Sequence, residues 1–375
     1  MRRILFLAAY PIEDASCRYR IHQFLPYLEQ AGYICEVASF CSPELFAVLH
    51  RKGKLTLKLA RTLQCATRRL IQLRQISKFD VIVIHREAFP FFAPLVENWI
   101  IRRHPKVIFS FDDAIYTGHE QVAELAHPRL YRLKHGRRYD DVIRHSSHVI
   151  AGNRILAEYA RRLNRNVSVS VVPTVVDCRK YRFRQLRENP RPITIGWMGS
   201  RSTAPYLDLT EPALKKLAQT FAGRMRLRFV GAPHYQPSLP DSSSVPFMLD
   251  SEIEELQSFD IGLMPLPDTE WTRGKCAFKA IQYMASGVPV VASPVGVTTD
   301  LIHHNANGLL ASSAEEWFRE LSRLVCDASL RQRLALTARR TIEDSYSLEQ
   351  WAPRVVELFD QILGVHNGQL DAVVA

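Results

Sequence analysis

Short apolar runs alternate, along nearly the whole chain, with longer segments whose apolar residues recur every three or four positions. The runs at 2–9, 33–40, 80–85, 106–111, 148–152 and 167–172 are too brief for helices and read as buried strands of a parallel sheet. Helices are expected between them, one from about Cys17 to Ala31 that Gly32 stops and one over 155–163. A second series begins with a strand over 193–198, then a helix from about Thr203 to Phe221 and a strand at 225–230. After a Pro/Ser-rich loop over 233–245 come a short helix near 251–257 and a strand at 259–264. Residues 274–296 supply a loop, a helix that Gly287 ends and a strand at 288–292, and 313–364 reads as helical throughout. Strand and helix alternating in both halves predict an α/β fold of two Rossmann-like parallel-sheet domains with right-handed crossovers.

A chain of 375 residues is longer than one core usually serves. The polar, basic, proline-flanked stretch 178–192 reads as the connection. The expected domains are therefore 1–178 and 193–345, with a linker at 179–192, a C-terminal helix over 346–364 and a tail over 365–375. The start, Met1-Arg2-Arg3 before an apolar run, is like a signal peptide but lacks a convincing cleavage site, so it is read as the first strand. Seven cysteines without a C-x-x-C pair fit free thiols in a reducing, cytoplasmic setting, and neither zinc nor a disulfide framework is indicated. No stretch is long and apolar enough to span a bilayer.

Charge changes this picture, because residues 1–190 carry 32 Lys+Arg against 17 Asp+Glu while 191–375 carry 17 against 21. The first half thus favours anionic partners: nucleic acid, lipid head groups or phosphorylated substrates. No acidic residue lies between Glu44 and Asp80, and nine cations from Arg51 to Lys78 alternate with Leu55, Leu59, Leu63, Leu70 and Leu73. Two readings stand: a basic amphipathic helix lying on an anionic membrane surface through 51–78, or a domain helix whose leucines face the sheet. The membrane reading makes the protein peripheral on the cytoplasmic membrane. Nucleic acid is set aside, since the stretch has neither aromatic residues to stack bases nor a recognised motif.

The candidate chemistry lies near strand ends. Lys275, Lys279, Gln282 and Ser286 recur at helical spacing, and two ammonium groups near a helix N-terminus suit a diphosphate; a solvated lysine face is the alternative. The loop 10–16 has no glycine, so it is not a dinucleotide fingerprint. Arg18 and Arg20 follow the first strand, where they would grip an anionic acceptor or simply lie on the surface. Asp112 and Asp113 end the fourth strand and would orient a sugar hydroxyl, act as a base or hold a metal. Neighbours on an extended chain point apart, so only one of the two is expected in the site.

The run F-K-A-I-Q-Y-M-A-S-G-V-P-V-V-A-S-P-V-G at 278–296 resembles the donor-binding helix and strand of glycosyltransferase family 4, within the retaining GT-B glycosyltransferases. Asp300 stands where that family usually has a glutamate, Asn307-Gly308 resembles its downstream motif, and the helices with Tyr346-Ser347 and Trp351 resemble its usual end. The resemblance implies two domains facing a cleft and C-terminal helices crossing back to the first. It implies a UDP- or GDP-linked sugar on the C-terminal domain and a glycan or lipid-linked acceptor on the N-terminal domain. Transfer would retain configuration, with no metal or other cofactor required, in the assembly of a cell-surface polysaccharide. The family's two glutamates match Gly274 and Gln282, with Glu270 as a substitute by loop shift. Its diphosphate-binding arginine and lysine match only in part, through Gly199, Ser200 and Arg201, which leaves charge to Lys275 and Lys279. The leaving phosphate would take the acceptor's proton, so no protein nucleophile is needed. Two other classes compete: a sugar-nucleotide epimerase of the same fold, and a non-catalytic protein that binds membranes or polyanions.

Overall fold

The computed structural model describes residues 1–49, 53–90, 94–117, 139–184, 192–235 and 239–365. Two compact units divide the chain: Met1–Thr174 together with the segment from Trp351, and Val175–Gln350. The first is built on β1 (Arg3–Ala8), β2 (Ile34–Ser39), β3 (Val81–His85), β4 (Val107–Phe111), β5 (His148–Ala151) and β6 (Ser168–Val171). All pair in parallel in the order β2-β1-β3-β4-β5-β6, so the chain switches direction between β1 and β3, where open α/β sheets place their sites. β3 and β4 are buried at every residue, which is why they read as unbroken apolar runs.

The helix expected from about Cys17 to Ala31 is broken into α1 (Ala15–Arg20), a 3-10 turn and α2 (Leu25–Gln30). Pro26, in the first turn of α2, has no N–H to continue the preceding turn. After α3 (Pro43–Leu49), the basic stretch forms α4 (Leu55–Leu73); its Arg51 and Lys52 lie outside the described residues.

Of the leucines along α4, only Leu73 is buried. The buried residues of the helix are Cys65, Arg69 and Leu73, with Cys65 packed in a cluster with Phe40, Cys41 and Leu45. Arg69 donates to the carbonyls of Ala8 (3.1 Å) and Ala38 (2.8 Å), and Arg68 to those of Ser39 (2.8 Å) and Phe40 (2.9 Å). Two cations that read as solvated or lipid-facing therefore satisfy the ends of β1 and β2. Burial lowers the Arg69 guanidinium to about 10, still ionised at neutral pH.

α5 (Leu95–Arg103), α6 (Asp140–His145) and α7 (Arg154–Leu163) complete the crossovers of this unit. The C-terminal segment belongs to it as well: Phe359 packs edge-on to Phe6 (6.1 Å between ring centroids), and Lys106 donates to the carbonyl of Ile362.

The second unit carries β7 (Ile193–Met198), β8 (Met225–Val230), β9 (Ser242–Val245), β10 (Ile261–Met264), β11 (Val290–Ala292) and β12 (Leu309–Leu310), parallel in the order β12-β11-β10-β7-β8-β9. β9 lies inside the stretch expected to be a loop; as an edge strand with one neighbour it forms from Ser-Ser-Ser-Val, without an apolar signal. The helix expected at about 203–221 is a 3-10 segment, Ala204–Leu209, then α8 (Glu211–Thr220), each with a proline in its first turn. The later helices are α9 (Glu252–Gln257), α10 (Glu270–Arg273), α11 (Phe278–Ala285) and α12 (Thr298–Leu301). The segment 313–364 is three helices, α13 (Ala314–Cys326), α14 (Ala328–Ser345) and α15 (Leu348–Leu363), because Asp327 ends one and caps the next. The core gathers Trp197, Leu227, Phe229, Leu263 and Val291 from the sheet against Trp317 and Leu321 of α13.

Tyr181, in the stretch read as a linker, is fully buried within the second unit, and 185–191 lie outside the described residues, as do 366–375 of the tail. All seven cysteines are free thiols. Among the described residues no helix is long and apolar enough to cross a membrane.

Candidate active site

In the second unit, Gly199, Ser200 and Lys279 come together where β7 ends. The amide of Met198 donates to the buried Tyr283 hydroxyl (2.8 Å), which ties the end of β7 to α11. Gly199 follows with no room for a side chain: a Cβ would lie 2.2 Å from the Trp197 ring and 2.8 Å from Cε of Lys279. Gly231, at φ +89, lets the Gly199 carbonyl approach to 1.9 Å from where a Cβ would stand. Over Gly199, Lys279 extends its ammonium to 3.5 Å from Oγ1 of Thr203, above the Trp197 ring (5.7 Å to its centroid).

The Thr203 hydroxyl and the exposed Ser200 form a hydroxyl cluster with Ser202: Ser200 Oγ lies 2.9 Å from Ser202 Oγ and 3.3 Å from Thr203 Oγ1. Arg201 is exposed on the same turn. Lys279 stands in the first turn of α11, whose N-terminus no side chain caps because Ala277 holds that position in the left-handed region at φ 51. An ammonium, a hydroxyl cluster and an uncapped helix start share one edge, and together they can stabilise an anion.

The other predicted donor residues are spread around this point. Lys275 lies before α11 rather than on its stripe, with its ammonium 4.9 Å over the Trp271 ring, because the left-handed Ala277 separates the two lysines. Glu270 is the exposed first residue of α10 and Gly274 its buried C-cap. Asp300 is exposed on α12; with Cys276 it adds to the rise that burial gives the Tyr346 phenol. Gln282 is 4% exposed and gives its amide N–H groups to the Tyr181 hydroxyl and to Glu252, both at 2.9 Å, so it belongs to the interior. Ser286, on the same stripe, is fully buried, and its hydroxyl has no hydrogen-bond partner.

In the first unit, Asp112 and Asp113 do meet at one centre, contrary to the expectation that they point apart. β4 ends at Phe111, so the alternation of a strand no longer applies to them. Arg86, directly after β3 and left-handed at φ 59, donates Nε to Asp112 (2.6 Å) and Nη2 to Asp113 (2.5 Å). Ser16 donates to the other oxygen of Asp112 (2.7 Å) and lies 2.8 Å from His85 Nε2. With its own proton given to Asp112, Ser16 can only accept from His85, which puts the imidazole proton on Nε2 and leaves Nδ1 facing Ser110 Oγ at 3.4 Å.

Burial lowers His85 to about 3, so the ring is neutral. Burial alone would raise Asp112, but the adjacent Arg86, with His85 and Arg20, holds it well below the usual carboxylate range. Arg18 donates to the carbonyls of Ile12 (3.1 Å) and Glu13 (3.2 Å), which closes the loop after β1. Arg20 is buried, donates to the carbonyl of Val172 (2.5 Å), and with His85 and Ser110 forms the polar wall of a cavity of about 30 Å³, room for a water or two and not for a sugar. Both arginines thus engage backbone carbonyls.

Sequence reasoning missed Ser16, His85 and Arg86, although the strand-end rule that selected Asp112 applies equally to the residues after β1 and β3. Among the described residues no group of three His, Cys, Asp or Glu side chains is placed to hold a metal ion.

Residues 192–327 match the family profile described as Glycosyl transferases group 1. That segment contains β7 through α13 and every residue of the Lys279 edge. No curated protein matches the chain. The chain is similar in structure to the sucrose-phosphate synthase of Thermosynechococcus elongatus, at 13% identity and a TM-score of 0.67, covering 98% of this chain and 100% of the other. A glycosyltransferase from Rickettsia africae gives 15% identity and a TM-score of 0.67, covering 97% and 99%. Anabaena HepE, solved in complex with UDP-glucose, gives 13% and 0.67, covering 96% and 100%. The fold is GT-B, and the group 1 segment together with that fold supports a glycosyltransferase.

Proposed function

We propose that the protein is a retaining, metal-independent glycosyltransferase of family 4 that moves a sugar from a nucleoside-diphosphate sugar to a glycan or lipid-linked acceptor. The observation that carries this reading is the ammonium of Lys279 set over Gly199 against the Thr203 hydroxyl, inside the group 1 segment. A departing nucleoside diphosphate gains negative charge in the transition state, and a pre-positioned ammonium with hydroxyl donors stabilises that charge without reorganising. Arg201 and Lys275 would add positive charge as the donor seats, and Glu270 and Asp300, both exposed, would meet the sugar's hydroxyls. HepE was solved with UDP-glucose, which makes a uridine donor the first to test and a guanosine donor the second.

In the first unit, Asp113, the more exposed carboxylate of the pair on Arg86, would orient the acceptor hydroxyl. Asp112, held ionised by Arg86, is a weak proton acceptor and serves to fix that arginine. The acceptor's proton then leaves on the departing phosphate. Arg18 and Arg20 shape the wall beside the acceptor through the loop after β1 and through Val172. We place the enzyme in cell-surface polysaccharide assembly, in the cytoplasm and peripheral on an anionic membrane.

Incubating the protein with UDP- and GDP-sugars tests the reading. Slow release of the nucleoside diphosphate from one of them is expected, and no hydrolysis or binding of any nucleotide would remove the enzyme assignment.

A further inference from the structure

Among the described residues, six of the fifteen exposed large apolar side chains sit on α4. Leu55 is 78% exposed, Leu59 69%, Leu63 68% and Leu70 56%, which is a contiguous apolar ridge rather than scattered single residues. At 3.6 residues per turn, Leu59, Leu63 and Leu70 fall on one side, continued by the exposed Thr56, Ala60, Thr67 and Ile71, a strip over about a third of the helix circumference that carries no charge. The cations Lys58 and Arg61 lie on the adjoining flank and Lys54 and Arg74 stand at the two ends, while Arg68 is held by the carbonyls of Ser39 and Phe40.

The helix cannot roll these leucines inward. Arg69 is 1% exposed and bound to the carbonyls of Ala8 and Ala38, which fixes the opposite face against β1 and β2.

We infer that α4 is a membrane-docking element whose leucine ridge enters the interface of an anionic bilayer while its flanking cations meet lipid phosphates. This rests on the membrane part of the reading above and not on sugar transfer. Charge selects the bilayer over a second copy of the chain. No acidic residue lies between Glu44 and Asp80, so two copies of α4 would face each other with cations alone, whereas an anionic surface supplies the missing counter-charge. Apolar burial and head-group attraction add in an interfacial helix, so binding needs both the ridge and lipid charge.

Co-sedimentation of the full chain with vesicles of phosphatidylcholine, alone or mixed with phosphatidylglycerol, reads both terms. The full chain should pellet with the mixed vesicles and stay in solution with the neutral ones. The double variant Leu59→Asp/Leu63→Asp should lose at least about tenfold in partitioning, with circular dichroism and any UDP-induced thermal shift unchanged. Equal pelleting on neutral and charged vesicles, no pelleting, or a double variant that pellets like the parent would overturn the inference. So would a concentration-dependent dimer that the double variant abolishes, which would assign the ridge to a second copy. Vesicle binding without any response to nucleotides would leave the inference standing and remove the sugar-transfer reading instead.

Discussion

At the carboxyl edge of the first sheet, the Arg86 guanidinium is enclosed between Asp112 and Asp113; at the same edge of the second sheet, the Lys279 ammonium lies over Gly199 against the hydroxyl of Thr203. The two edges are built alike. Each carries parallel strands, a short loop and one non-glycine residue in the left-handed region, Arg86 in one and Ala277 in the other. Their chemistry differs, because a guanidinium forked between two carboxylates is held in a fixed plane, whereas the ammonium lies against a hydroxyl and an aromatic face. On the proposed reading, the first edge sets geometry and the second meets the charge of the donor.

Breaking the first edge should produce the largest effect. Arg86→Ala leaves the buried Asp112 without its main counter-charge and should destabilise the protein by about 3–5 kcal/mol, measured by urea unfolding. A loss below about 1 kcal/mol, the usual value of an exposed ion pair, would mean that the pair is not a structural centre.

Gln282→Glu probes the interior beneath the second edge. It would set a second carboxylate beside Glu252, where the amide now donates at 2.9 Å, and should cost about 1–3 kcal/mol at neutral pH. The loss should shrink as acid protonates one of the pair; a pH-independent loss would point to packing instead.

The pH dependence of stability also belongs to the first edge. His85 is lowered from 6.5 to about 3, so the unfolded chain binds its proton first, and stability falls as pH drops from about 6.5 towards 3. Asp112 is also depressed; its contribution is present above the unfolded carboxylate value and is lost as pH falls from there to its low folded value. The urea midpoint should therefore decline from pH 6.5 downward, and His85→Gln should flatten the upper part of that slope. An unchanged slope would show that His85 does not titrate there.

Much of this arrangement was legible in the residues. The apolar runs gave both sheets, since buried parallel strands need no alternation, and the edge strand Ser242–Val245 escaped because its residues carry no apolar signal. Lys279 and the turn at Gly199 could be paired through a resemblance. That Lys275 lies off the helix could not be foreseen, because it depends on the left-handed Ala277, a conformation that residue type disfavours. The carboxylates of the first edge were read from their strand end, while the arginine between them, at the end of β3, carried the same signal, and only the fold shows that the two strand ends meet. The periodicity of α4 was plain while its buried face was not: a buried arginine against strand-end carbonyls reverses the usual order of which residues go inside.

On the proposed reading, the second edge holds the diphosphate of a sugar donor through Lys279. Calorimetric titration of UDP, and of GDP if UDP is silent, into the parent and into Lys279→Ala tests it most directly, with the unfolding midpoint of each protein measured alongside. Affinity should fall by about tenfold or more, the scale of one charge-assisted contact, with the midpoint unchanged. Equal affinity in the two proteins would contradict the claim.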